Sequence, residues 1–173
     1  MFNSPDEVNL RRYTDNLAGS GAAVILFGIW SAVRLFMQIT MDRTAYEDII
    51  ETVGITDYTP EFLNLVIFFI LSFFALSIML LHLCVGVAAI RYSRGRSVRR
   101  TYLLFVAVVM IFMFVGIRGN FFDAKTDQYV FKMTALATSI VDITMIFVLF
   151  DIIFSSIMIG KLRKNVGPGL RSI

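Results

Sequence analysis

The chain has one cysteine and one histidine in 173 residues. With Cys84 alone, no intrachain disulfide can form, the redox compartment stays unspecified, and thiol-relay chemistry, which needs paired cysteines, is excluded. One histidine, one cysteine and separated acids supply neither a nucleophile–base–orienter set nor a metal triad. The expectation is a protein that is not an enzyme and carries no cofactor or metal. No Asn-x-Ser/Thr glycosylation acceptor occurs. The first sixteen residues are polar and the apolar stretch after them is too long for a signal-peptide core, so no cleavable signal is expected. No duplicated pair of spans is visible, so the repeat architecture common among transporters has no support.

What the chain does have is long apolar runs. Hydrophobic residues make up 57% of it, concentrated in Leu17–Met41, Phe62–Ile90, Tyr102–Ile117 and Ala135–Ile159. Each run approaches or exceeds the roughly 20 residues that a helix needs to cross about 30 Å of hydrocarbon. Continuous apolarity of that length is unlike the amphipathic pattern of a soluble core. The fold class expected is all-α integral membrane: a single four-transmembrane-helix bundle over residues 1–173, with short connections and antiparallel neighbours.

The segments between the runs differ sharply in charge. Asp42 to Glu61 carries six acids against Arg43 alone, whereas Arg91 to Arg100 carries five arginines and no acid. The C-terminal tail adds Lys161, Arg163, Lys164 and Arg171, and the N-terminal tail adds Arg11 and Arg12. Basic residues near span ends stay on the cytoplasmic side, and acids count for little in that bias. Both termini and the arginine loop are therefore expected in the cytoplasm, in a multi-pass protein of a plasma membrane. Compact loops without an appended domain favour a bacterial or archaeal source. The net charge of +3 then signals topology rather than nucleic acid. Arg91, Arg94, Arg96, Arg99 and Arg100 are candidates for facing anionic lipid headgroups. Tyr92, Tyr102, Tyr129 and Phe131 sit near span ends, where an aromatic belt is expected.

Two capping boxes frame the ends. Ser4-Pro5-Asp6-Glu7 reads as a helix start, with Val8, Leu10, Tyr13 and Leu17 forming the apolar side of a short interfacial lead-in. Thr44-Ala45-Tyr46-Glu47 opens a second amphipathic segment ending near Gly54, expected as a short external helix. Glu47, Asp48 and Glu51 on it read as a solvated acidic face. The Phe- and Met-rich stretches around Phe68–Phe74 and Phe112–Phe114 read as lipid-facing or core bulk, and Gly21, Gly28, Gly86 and Gly116 as packing contacts.

Ionisable residues inside spans are costly and draw attention to function. Four stand out: Arg34, His82, Asp142 and Asp151. At a rise of about 1.5 Å per residue, Arg34 and Asp142 both fall about 7 Å outside the midplane, while His82 and Asp151 fall about 9 and 6 Å to its cytoplasmic side. Two pairings follow, Arg34 with Asp142 and His82 with Asp151. Asp142 and Asp151, nine residues apart, point to opposite sides of their helix, with Thr144 and Ser155 flanking Asp151. They cannot share a metal, but they can pin the last span between two neighbours. The imidazole is the side chain that ordinarily titrates near neutral pH, which makes His82 the natural proton-sensitive group. The functional expectation is a non-catalytic accessory, immunity-type or assembly subunit with a membrane-protein partner or a homo-oligomeric state. The alternative is a small ion- or proton-coupled transporter or channel subunit built on the four intramembrane charges.

Overall fold

The computed structural model describes residues 4–41, 60–98, 101–123, 128–129 and 133–165. Four helices carry the chain: α1 (Pro5–Met41), α2 (Pro60–Ser93), α3 (Tyr102–Phe121) and α4 (Met133–Asn165). All four are long and apolar enough to cross a membrane, which makes this a multi-pass membrane protein by the length and composition of its helices. After α3 the backbone makes one minimal antiparallel pairing, β1 (Phe122–Asp123) with β2 (Gln128–Tyr129), with Phe122 opposite Tyr129. This is the one departure from an all-helical course among the described residues.

The helices outrun the apolar stretches that announce them. α1 starts at the expected capping box: the Ser4 amide donates to Glu7 Oε2 at 3.1 Å and the Glu7 amide to Ser4 Oγ at 3.3 Å. It then runs unbroken to Met41, so the separate lead-in helix expected before Leu17 is the first part of α1 itself. Polar residues such as Arg11, Arg12 and Asp15 limit where the apolar surface begins, but nothing about them breaks a helix. α4 likewise continues past Ile159 through Lys161, Arg163 and Lys164 to Asn165. The external helix expected from Thr44 to Gly54, with Glu47, Asp48 and Glu51, lies outside the described residues, as do Arg99 and Arg100.

α2 has a defined stop. Gly95 adopts φ +78°, the left-handed region where the absence of a Cβ removes the steric penalty. The Arg96 amide reaches back to the Arg91 carbonyl at 3.1 Å and the Gly95 amide to Tyr92 at 3.1 Å. These two bonds form a Schellman motif, which ends the helix and satisfies two of its last carbonyls.

By packing, the chain divides into two compact units, Met1–Ile25 with His82–Ile173, and Leu26–Leu81. In the first unit α4 is the central element, and α3 packs along it. Met145, Leu149, Ile152 and Ile159 form a stripe of fully buried side chains at helical spacing on α4. Leu17 and Val24 of α1, Val85 and Ala89 of α2, and Val106 and Val109 of α3 complete the core. Tyr13 of α1 meets Phe154 of α4 edge to face, with ring centroids 5.8 Å apart. In the second unit, by contrast, the buried apolar residues are few, among them Ile39, Leu63 and Ala75. Phe69, Phe73, Phe74 and Leu80 are exposed, as surfaces meant for hydrocarbon should be.

Candidate functional site

The polar side chains of the first unit are organised around α4. Asp151 lies half-buried on this helix. Its Oδ2 accepts a hydrogen bond from Ser20 Oγ of α1 at 2.5 Å, and its Oδ1 accepts one from Ser155 Oγ, a turn further along α4, at 3.3 Å. Ser155 therefore lies on the side of α4 that the helical angle assigns to it. Both serines donate, so the carboxylate serves as a two-sided acceptor that ties α1 to α4. Ser20 comes from α1 and Ser155 from α4 itself, so one bond crosses between helices and the other stays within one.

One turn beyond Asp151, Ser156 is buried and donates to the Ile152 carbonyl at 2.6 Å. A serine hydroxyl has a single hydrogen. That hydrogen is already directed to Ile152, so in the very short contact between Tyr102 and Ser156 the phenol is the donor. Tyr102 is only 5% exposed. It was expected in an interfacial belt but is buried against α4, because its hydroxyl finds a partner there. Tyr92 of α2 lies beside it, the ring centroids 6.2 Å apart.

Arg163, near the end of α4, closes the same region. Its Nη2 donates to the Tyr92 carbonyl at 3.0 Å and to the Ser93 carbonyl at 3.3 Å. The guanidinium carbon stands 5.0 Å from the centroid of the Tyr92 ring, within cation–π range. A helix end leaves its last carbonyls without intrahelical donors. Here a neighbouring helix supplies a charged one. Behind this contact lies a cleft of about 250 Å³ lined by Tyr92, Tyr102, Leu103, Ile157, Lys161 and Lys164, among others.

Two glycines bring the backbones of α1 and α2 close together. A Cβ on Gly86 would stand 2.5 Å from the Gly21 carbonyl oxygen and 2.5 Å from Ile25 Cγ1. A Cβ on Gly21 would meet the Gly86 oxygen at 2.9 Å. These two glycines are packing contacts, as expected. At Gly116, by contrast, a Cβ would find nothing within 4 Å among the described residues.

The remaining candidates divide between the units. His82 is 1% exposed and lies one turn before Gly86 on α2, and Asp142 is buried on α4 with buried Ser139 three residues earlier. Both belong to the first unit, whereas Arg34 is half-buried on the part of α1 that belongs to the second. Arg91, Arg94 and Arg96 are exposed around the end of α2. Sequence reading missed Arg163 and Ser156 as organising groups. A basic residue in the last turn of a helix was visible, but which helix it would serve was not. No protein-family model, curated protein or solved structure matches this chain.

Proposed function

We propose that this chain is a non-catalytic accessory, immunity-type or assembly subunit of a plasma membrane, with both termini and its arginine-rich end in the cytoplasm. The observation that carries the proposal is how α4 uses its polar groups. Asp151, Ser156 and Arg163 each fasten α4 to a different helix of the same unit. Such contacts hold a bundle together; they do not hold a substrate. Outward, α3 presents Leu104, Phe105, Ile111, Phe114 and Val115, an apolar face suited to lipid or to a helix of another membrane protein. Anionic lipid headgroups are the partners proposed for the basic end. The test is purification in mild detergent. A stoichiometric second protein that stays bound through size exclusion supports the reading. A chain that elutes without any other protein and moves ions on its own refutes it.

A second reading, a small ion- or proton-coupled transporter or channel subunit, is favoured by the burial of His82 and Asp142 on membrane-spanning helices. It predicts proton or cation flux in vesicles reconstituted with the pure protein, lost in Asp142→Asn. Vesicles no leakier than protein-free controls would remove it.

A further inference from the structure

We infer that the cleft between the end of α2, the start of α3 and the last turns of α4 holds the phosphoryl headgroup of an anionic phospholipid. Lys161 and Lys164 line it and, three residues apart, share one face of α4. Neither is paired with an acid among the described residues, and both are exposed. Other polar groups of the region are already committed. Arg163 is held by the Tyr92 and Ser93 carbonyls. The Tyr102 hydroxyl donates to Ser156, whose own hydrogen goes to Ile152. Among the residues lining the cleft, the donors left for a ligand are the two ammonium groups and the Tyr92 hydroxyl, and ammonium groups bind phosphate as point charges.

The rest of the lining favours an amphiphile over free phosphate. Leu103, Ile157 and the rings of Tyr92 and Tyr102 give apolar wall beside the lysines. The cleft also sits where α4 passes from apolar sequence to Lys161, Arg163 and Lys164, the transition expected at headgroup level. Its volume, about 250 Å³, lies below the roughly 300–1,000 Å³ of sites that enclose a small molecule. A headgroup with its acyl chains left outside in the bilayer suits that size.

The inference deepens the headgroup proposal above. It is tested on the isolated chain, so it stands or falls independently of any protein partner. The full-length protein in neutral detergent is melted with added phosphatidylglycerol, phosphatidylcholine or inorganic phosphate at equal phosphorus. Phosphatidylglycerol should raise Tm by several degrees, and the other two should not. Lys161→Gln with Lys164→Gln should abolish most of that rise, while Arg11→Gln with Arg12→Gln, exposed on α1, keeps it. Ile157→Trp, which fills the cleft without changing charge, should also blunt it, and this arm remains informative if the lysine variant fails to fold. Equal losses in the lysine and arginine variants would mean a diffuse surface field and overturn the site. An equal rise with inorganic phosphate would overturn the lipid assignment, and no rise with any additive would overturn both.

Discussion

Gly86→Ala is the most incisive single perturbation of this fold. A methyl group there would lie 2.5 Å from the Gly21 carbonyl oxygen and 2.5 Å from Ile25 Cγ1, whereas ordinary contact begins near 3.4 Å. The obstacle on one side is backbone, which cannot swing away as a flexible side chain would. α1 and α2 would have to separate by close to an ångström at their nearest approach. Gaps of about 0.5–1 Å already forfeit a quarter to a half of the dispersion attraction of the atoms involved. Overpacking of this kind costs roughly 1–3 kcal/mol. Acting against it is the gain of about 1 kcal/mol when a helical glycine becomes alanine. Gly116→Ala isolates that gain, since its Cβ would meet nothing within 4 Å. Circular-dichroism melting in detergent should therefore show Gly116→Ala at or above the parent Tm and Gly86→Ala several degrees below Gly116→Ala, at roughly 2–4 °C per kcal/mol for a chain of this size. A Gly86→Ala variant that melts as high as Gly116→Ala would refute the close crossing.

Other outcomes follow from contacts elsewhere. Arg163→Ala removes a charged donor from two helix-end carbonyls and a cation from the Tyr92 ring; it should cost about 2 kcal/mol in the same assay. Arg163→Lys should recover only part of this, because an ammonium does not reproduce the planar fork. A reporter fused near Gly95 should read cytoplasmic and one near Asp57 external, and labelling of a cysteine placed at position 95 from outside intact cells would reverse the topology.

The features legible in the sequence are those set by local chemistry. The four spans follow from unbroken apolarity, and the Ser4–Glu7 box closes as its spacing requires. The placement of Ser155 beside Asp151 follows from helical angle alone. The helices extend beyond the apolar runs because polarity ends an apolar surface without ending a helix: Arg11, inside the expected lead-in, and Lys161 are good helix formers. Tyr102 was misplaced for a related reason. Its amphipathic ring fits an interface equally well, and only the arrival of Ser156 from α4 decides for the interior. Arg163 capping α2 joins residues seventy positions apart, and no local pattern encodes such a pair. The bond from Ser20 to Asp151 was not legible, since a depth count locates residues along the membrane normal but not around it.

The central place of α4 has a consequence for synthesis. The ribosome releases this helix after the other three, yet it carries the acceptor for Ser20, the acceptor for Tyr102 and the donor for the Tyr92 and Ser93 carbonyls. Until residues 151–163 arrive, the Ser20 hydroxyl inside its span lacks its carboxylate acceptor, and the Tyr102 hydroxyl and the Tyr92 and Ser93 carbonyls nearer the headgroups lack their α4 partners. The first three spans are thus a waiting intermediate whose completion depends on the fourth. A nascent chain halted after Phe121 leaves the Ser20 and Tyr102 hydroxyls without their α4 partners, and the arrival of α4 supplies them.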